Sequence, residues 1–112
     1  MPTNVLGTWE GTLYEPASKS GYTIELVVVA GNVGDVIATV NYPEYDCSST
    51  LTLETVRVEV GVAVARERIV TGKGRCIDRG RMMLMNDKGD LKLKWDHDNY
   101  DHFVAGYLLR KQ

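Results

Sequence analysis

Apolar and polar residues alternate along most of the 112-residue chain. A period of two residues is typical of a β-strand that buries one face and exposes the other. In the first such run, residues 6–14, one face carries Gly7, Trp9, Gly11 and Leu13. Seven further runs follow, at residues 22–30, 33–42, 49–57, 62–71, 81–86, 91–95 and 103–110. The pattern therefore predicts eight strands, and no segment shows a helical period over a useful length.

The predicted strands are joined by short connections that are rich in turn-forming residues. Gly31-Asn32 predicts a tight hairpin turn, and Pro43 interrupts the pattern because proline cannot donate to a central ladder. Further turns are predicted at residues 72–75 and 86–90. Consecutive hairpins favour an up-and-down sheet that closes on itself and so removes its edges. We therefore predict an all-β fold, a small up-and-down antiparallel barrel of about eight strands that forms one domain over residues 1–112.

Composition favours the same fold class, because 14 Val, 4 Ile and 9 Thr stand against only 6 Ala. The chain is 44% hydrophobic and 25% charged, as in an ordinary globular domain. Its longest apolar run, residues 26–31, is far shorter than the ~20 residues of a membrane helix. We therefore expect no membrane span, and the first four residues show no signal-peptide pattern.

Charge is distributed unevenly, although the net charge of −2 argues against a general nucleic-acid binder. Residues 1–65 carry 2 basic and 8 acidic side chains, whereas residues 66–81 carry 6 basic and 2 acidic ones. The basic stretch is a candidate binding surface, and the alternative interpretation is a solvated barrel rim. Its members are Arg66, Arg68, Lys73, Arg75, Arg79 and Arg81.

Residues 96–102 form the one cluster whose side chains resemble a metal site. They combine three Asp, one Asn and two His, which are competent ligands for zinc or calcium. The spacing matches no established metal-binding loop, so a polar turn between the last two strands is the favoured interpretation. We predict no metal and no cofactor.

The sequence contains few residue patterns that are typical of an active site. Both histidines lie in the same predicted turn, and no serine sits in an elbow-like motif. The glutamates at positions 10, 25, 54 and 67 occupy single strand positions on undefined faces, so they define no acid–base pair. We therefore predict that the protein is not an enzyme.

Several motifs carry a resemblance to known barrels. Gly7-Thr8-Trp9 resembles the first-strand motif of calycins, the group that includes lipocalins, fatty-acid-binding proteins and avidins. Three ordered blocks, residues 34–53, 66–80 and 87–95, resemble a family of small bacterial β-barrel domains, mostly actinobacterial, found alone or beside sensor and kinase modules. These blocks contain the motifs Tyr42-Pro43-x3-Cys47 and Cys76-x-Asp78-x-Gly80.

The resemblance implies two structural features. One is a disulfide between Cys47 and Cys76, whereas the residues alone leave two separate buried thiols as an alternative. The other is a plug at one barrel end, in which Trp9 is covered by Arg110 from the last strand, with a solvated terminus as the alternative for Arg110. Members of the family are commonly exported or lipid-anchored. The compartment stays open, with the cysteine pair favouring an extracytoplasmic one.

Two functional hypotheses remain. The first is a non-catalytic binding barrel for a small apolar or amphipathic ligand, favoured by nine aromatic residues and by Met82, Met83 and Met85. The second is a protein-interaction or sensing module with a filled core that binds a protein or cell-envelope partner by its surface, favoured by the charge segregation. An open cavity lined by Tyr and Met would support the first hypothesis, and a filled interior would support the second.

Overall fold

A computed structural model describes residues 1–15, 20–99 and 103–111, and within these ranges eight strands form a closed antiparallel barrel. Each strand pairs with the next along the chain, and the last pairs with the first, with Trp9 opposite Arg110. The predicted all-β up-and-down barrel is therefore confirmed. The strands are β1 (Gly7–Glu15), β2 (Ser20–Val28), β3 (Val36–Tyr42), β4 (Cys47–Arg57), β5 (Val62–Thr71), β6 (Arg81–Asp87), β7 (Asp90–Asp96) and β8 (Val104–Arg110).

Helical structure in the described ranges is confined to three single 3-10 turns, at Thr3–Val5, Pro43–Tyr45 and Val58–Val60. Among the same residues, no helix is long and apolar enough to cross a membrane.

Alternate residues of each strand fill the barrel interior. In β7, for example, Leu91, Leu93 and Trp95 are buried, whereas Lys92 and Lys94 between them are exposed. This is the arrangement that a period of two residues predicts. The largest fully buried side chains are Trp9, Leu13, Ile24, Leu26, Ile37, Leu51, Leu53, Ile69, Met82, Leu84, Leu91 and Leu93.

The connection between β2 and β3 differs from the predicted two-residue turn, since residues 29–35 lie outside both strands. The carboxylate of Asp35 accepts a hydrogen bond from the backbone N–H of Asn32 (2.9 Å). Gly34 donates to the carbonyl of Leu53, and Leu53 donates to the carbonyl of Asp35. The hairpin connection is therefore longer than the tight turn predicted at Gly31-Asn32: a turn is closed by the N–H of Asp35 donating to the carbonyl of Asn32 (2.9 Å), and Gly34 and Asp35 also pair with Leu53 of β4.

The barrel end at the start of β1 is closed by Trp9, which is completely buried. Its indole N–H donates to the carbonyl of Val5 (3.0 Å), in the first 3-10 turn. The guanidinium of Arg110 lies 4.2 Å from the centre of the indole ring and donates to the carbonyl of Leu6 (2.7 Å). Gly7 has a φ of +122° and lies so close to Arg110 that a Cβ atom there would collide with the guanidinium. The expected contact between Arg110 and Trp9 is therefore present.

The opposite end carries the disulfide. Cys47 and Cys76 are bonded to each other, with 6.6 Å between their Cα atoms, so the expected pairing is confirmed. The bond attaches the start of β4 to residues 72–80, which connect β5 to β6. It therefore fixes a long connection across the rim of the barrel.

Candidate functional site

A pocket of about 230 Å³ opens at the disulfide end of the barrel. Tyr22, Tyr42 and Trp95 line it, and each is the inward-facing residue nearest this end of its strand. In β7, for example, Trp95 continues the inward series of Leu91 and Leu93. Alternation along the strands therefore places a ring of aromatic side chains above a core of aliphatic ones.

Three tyrosines pack together on one side of the pocket. The rings of Tyr22 and Tyr42 are 5.8 Å apart at 62°, and those of Tyr22 and Tyr45 are 5.5 Å apart at 74°. Both pairs have the edge-to-face geometry that aromatic rings favour. Tyr45 belongs to the Pro43–Tyr45 turn, which is tied to β2 because the carboxylate of Glu44 accepts two hydrogen bonds from Thr23.

Glu67 lies in the pocket wall with only 2% of its surface exposed. The hydroxyls of Tyr42 and Ser49 (2.6 Å) both donate to its Oε2 atom. The indole N–H of Trp95 donates to its Oε1 atom (3.1 Å). The described part of the chain records no ion pair for Glu67. A carboxyl group is therefore buried among hydrogen-bond donors that carry no charge.

The face of β5 on which Glu67 lies was not predicted, although the strand contains the signal that defines it. Ala63, Ala65 and Ile69 are buried, and Glu67 occupies the missing position in that inward series. A glutamate on the apolar face of a strand is rarely buried without a partner. The partners Tyr42, Ser49 and Trp95 come from β3, β4 and β7, so only the closed fold identifies them.

Burial controls the acid–base properties of this site. Loss of solvation raises the pKa of Glu67, and the hydrogen bonds from Ser49, Tyr42 and Trp95 oppose that rise. Burial also raises the pKa of Tyr42 well above its usual value, and the negative charge of Glu67 raises it further. The pKa of Tyr22 is raised for the same two reasons. These groups form one electrostatically coupled unit at the floor and side of the pocket.

Residues 72–80 form another wall of the pocket, to which Arg75, Cys76 and Ile77 contribute. Arg75 donates to the carbonyls of Tyr45 and Asp46, at 2.9 Å each, so its guanidinium bridges the rim. The connection also approaches the floor of the pocket. A Cβ atom on Gly80 would overlap the Trp95 ring. The carbonyl of Gly80 accepts a hydrogen bond from the backbone N–H of Glu67 (2.7 Å).

The six basic residues of the candidate binding surface do not all lie together. Four line a second, open groove in company with acidic side chains: Arg66, Arg68, Lys73 and Arg79 beside Glu54, Asp78 and Asp98. Within it, Arg66 lies 3.3 Å from the carboxylate of Glu54 and 3.9 Å from that of Asp98. Arg81 pairs with Asp96 (3.1 Å), and Arg75 lies at the pocket rim. The groove therefore has mixed charge.

The methionines do not line the pocket, in contrast to the expectation for an open cavity. Met82 is buried in the core, Met83 is 41% exposed on the outer face, and Met85 is half-buried. The lining is supplied instead by the aromatic side chains of three tyrosines and Trp95.

The segment 96–102 is described as far as Asn99, and residues 100–102 lie outside the described ranges. Asp96 pairs with Arg81, and the Nε2 atom of His97 lies 3.0 Å from the carbonyl of Asp78. The backbone N–H of Asn99 donates to Nδ1 of His97 (3.1 Å). Within the described residues, no group of three metal-ligating side chains is arranged to hold a metal ion.

Comparison of the chain with protein-family models, with curated proteins and with solved structures finds no match. The geometry of the pocket therefore provides the main basis for a functional proposal.

Proposed function

We propose that this protein is a non-catalytic binding barrel and that a small amphipathic ligand occupies the pocket at the disulfide end. The observation that carries this proposal is an open cavity with aromatic walls and a buried carboxyl group, in a barrel that is otherwise filled with aliphatic side chains. Ligand sites commonly combine apolar walls with a few convergent polar groups. The resemblance of Gly7-Thr8-Trp9 to calycins supports the same proposal.

Size restricts the ligand. Pockets for drug-sized molecules measure about 300–1,000 Å³, whereas this pocket measures about 230 Å³. An apolar cavity of about 150 Å³ is large enough for benzene. The pocket therefore suits a molecule with one ring and a short polar substituent, and a fatty acid or a fused-ring cofactor is too large for it.

Nuclear magnetic resonance titration with benzyl alcohol, a neutral one-ring probe, tests the proposal. The two indole N–H groups are natural reporters, because that of Trp95 donates to Glu67 in the pocket and that of Trp9 donates to Val5 at the closed end. We expect a saturable shift of the Trp95 signal and no shift of the Trp9 signal.

A matched pair of variants locates the binding site. Ile77→Trp adds a ring at the pocket mouth, where Ile77 is 44% exposed, and is expected to abolish the titration. Val70→Trp adds the same ring on the outer face of β5 and is expected to leave it intact. Equal titration of both variants, or no titration of the unmodified protein by benzyl alcohol or by its charged analogues benzylamine and benzoate, would contradict the proposal. It would favour the alternative of a module that binds a protein or cell-envelope partner by its surface.

A further inference from the structure

The carboxyl group of Glu67 retains one unused hydrogen-bond acceptor position. An ionised carboxylate offers about four acceptor positions. Oε2 accepts from Tyr42 and Ser49, and Oε1 accepts from Trp95 alone. One acceptor position on Oε1 is therefore left, on a side chain that lines the cavity. The indole N–H of Trp95 can only donate, so Oε1 is an acceptor whether the carboxyl group is neutral or ionised.

When Glu67 is ionised, its negative charge has no counterion among the described residues. Uncharged donors satisfy its oxygens but do not neutralise it, and burial makes an unpaired charge unfavourable. Asp78 adds a second negative charge in the neighbourhood. The cation on the pocket wall, Arg75, is 56% exposed in its side chain and directs its N–H groups to the carbonyls of Tyr45 and Asp46. The pocket is therefore electrostatically suited to receive a cation.

The walls favour the same kind of ligand. Tyr22, Tyr42, Tyr45 and Trp95 surround the cavity beside Glu67. The faces of aromatic rings carry partial negative charge and attract ammonium groups, most strongly where water is displaced. An anionic ligand would instead meet both the carboxylate and the ring faces unfavourably, and a neutral ligand would leave the charge of Glu67 unpaired.

We propose that the ligand of this pocket is a small organic ammonium ion, whose charged nitrogen donates to Oε1 of Glu67 and lies against the rings of Tyr22, Tyr45 and Trp95. This inference rests on the proposed function, because it specifies the ligand of the same pocket. It makes Glu67 the residue that determines specificity, and the aromatic side chains the residues that exclude water from the ion pair.

Three probes of nearly the same shape and different charge test the inference: benzylamine, benzyl alcohol and benzoate. Their dissociation constants are measured at neutral pH by calorimetry and by the shift of the Trp95 indole signal. Because charge-assisted hydrogen bonds are stronger than neutral ones, we expect benzylamine to bind at least about tenfold more tightly than benzyl alcohol. We expect benzoate to bind most weakly.

Variants assign this preference to Glu67. Glu67→Gln keeps the shape and removes the charge, so we expect the two neutral-pH affinities of benzylamine and benzyl alcohol to become equal within about twofold. Glu54→Gln is the matched control, because it removes a carboxylate from the exposed face of β4 and should preserve the preference. Tyr45→Leu, at a half-exposed rim position, should weaken benzylamine binding more than benzyl alcohol binding.

The outcomes separate the two proposals. Equal affinity of the unmodified protein for benzylamine and benzyl alcohol, or tighter binding of benzoate, would overturn the ammonium inference and leave the binding pocket in place. Failure of all three probes to bind would overturn both proposals. The ranking of probes by the unmodified protein decides the matter even if Glu67→Gln does not fold, as judged by circular dichroism.

Discussion

Glu67 lies on β5 in an inward series of small and aliphatic residues, where an aliphatic side chain would complete the core. Three strands instead direct a hydroxyl, a second hydroxyl and an indole N–H toward its carboxyl group. Gly80 leaves space for that indole, since a Cβ atom there would overlap the Trp95 ring. Four residues from separate parts of the chain therefore maintain one buried acidic group, which is more than packing alone requires.

Stability should depend on pH through Glu67. Burial raises its pKa in the folded state, so the unfolded chain ionises first as pH rises above the ordinary carboxyl value of about 4.3. Stability from the neutral form is thus complete below that value and is lost as pH rises through the folded-state pKa. Glu67→Gln removes this loss. We expect the unfolding free energy of Glu67→Gln, relative to the unmodified protein, to increase with pH.

Urea denaturation at a series of pH values from acid to neutral measures this difference. Glu54→Gln, on the outer face of the adjacent strand, is the control for loss of one carboxylate. A constant difference between Glu67→Gln and the unmodified protein across the series would show that Glu67 titrates alike in the folded and unfolded states.

Trp9 and Arg110 should contribute to stability very unequally. Trp9→Ala removes a completely buried indole and leaves a cavity, which should reduce the unfolding free energy by roughly 3–5 kcal/mol. Arg110→Ala removes a cation over the ring and hydrogen bonds to the carbonyls of Leu6 and Asn4, at a cost of about 1 kcal/mol. Chemical denaturation measures both. An unchanged midpoint for Trp9→Ala would show that the indole does not close the barrel end.

Both substitutions lie at the end opposite the pocket, so neither should change the affinity for benzyl alcohol in protein that remains folded. A loss of affinity in folded Arg110→Ala would contradict the separation of the two barrel ends.

The 72–80 connection shows how an element without regular secondary structure becomes part of the site. The Cys47–Cys76 bond closes a loop over a sequence separation of 29 residues. Gly72 accepts from the backbone N–H groups of Arg75 and Cys76, and Arg75 donates across the rim to Tyr45 and Asp46. The disulfide and the two hydrogen bonds of Arg75 thus attach the connection to the rim, where Ile77 lines the pocket.

Removal of the disulfide should therefore affect both stability and binding. In the chain-entropy description, a loop of this length contributes about 3–4 kcal/mol. We expect Cys47→Ala combined with Cys76→Ala to lower the unfolding free energy by about that amount and to weaken benzyl alcohol binding. Reductant should have the same effect on the unmodified protein and none on the double variant. Unaltered affinity after reduction would show that the connection keeps its place without the bond.

Strand positions could be predicted because period-two alternation is a local property, and each predicted run overlaps an observed strand. The length of the 29–35 connection could not be predicted, since two of its hydrogen bonds join Gly34 and Asp35 to Leu53 on β4. The cysteine pairing followed from a resemblance and not from the residues. The alternation of inward and outward residues along β5 could have placed Glu67 inside the barrel. Its hydrogen-bond partners could not be predicted, because they lie on β3, β4 and β7 and depend on which strands meet in the closed barrel.

The two ends of the barrel differ in structure, since one is closed and the other carries the pocket. A 3-10 turn, Trp9 and Arg110 close one end. The other end has inward-facing Tyr22, Tyr42 and Trp95 at a rim that the disulfide braces. Side chains can fill the interior of an eight-stranded barrel. The pocket lies where the inward-facing residues of the strands change from aliphatic to aromatic side chains. The pocket is a local departure from an otherwise filled core.

Alkaline pH should destabilise the whole barrel through its buried tyrosines. Burial, reinforced by the charge of Glu67, raises the pKa of Tyr22, so the unfolded chain ionises first above the ordinary value of about 10. The stability that neutral Tyr22 provides is complete below that value and is lost as pH rises through the folded-state pKa.

Tyr22→Phe isolates this effect, because within the described residues the Tyr22 hydroxyl has no recorded hydrogen bond and its ring contacts with Tyr42 and Tyr45 survive the change. In urea denaturation between about pH 8 and pH 11, we expect the unfolding free energy of Tyr22→Phe relative to the unmodified protein to stay constant below about pH 10 and to rise above it. Tyr42→Phe is a poorer probe, since it also removes a hydrogen bond to Glu67. Parallel pH curves for Tyr22→Phe and the unmodified protein would place Tyr22 in solvent and remove one wall of the proposed pocket.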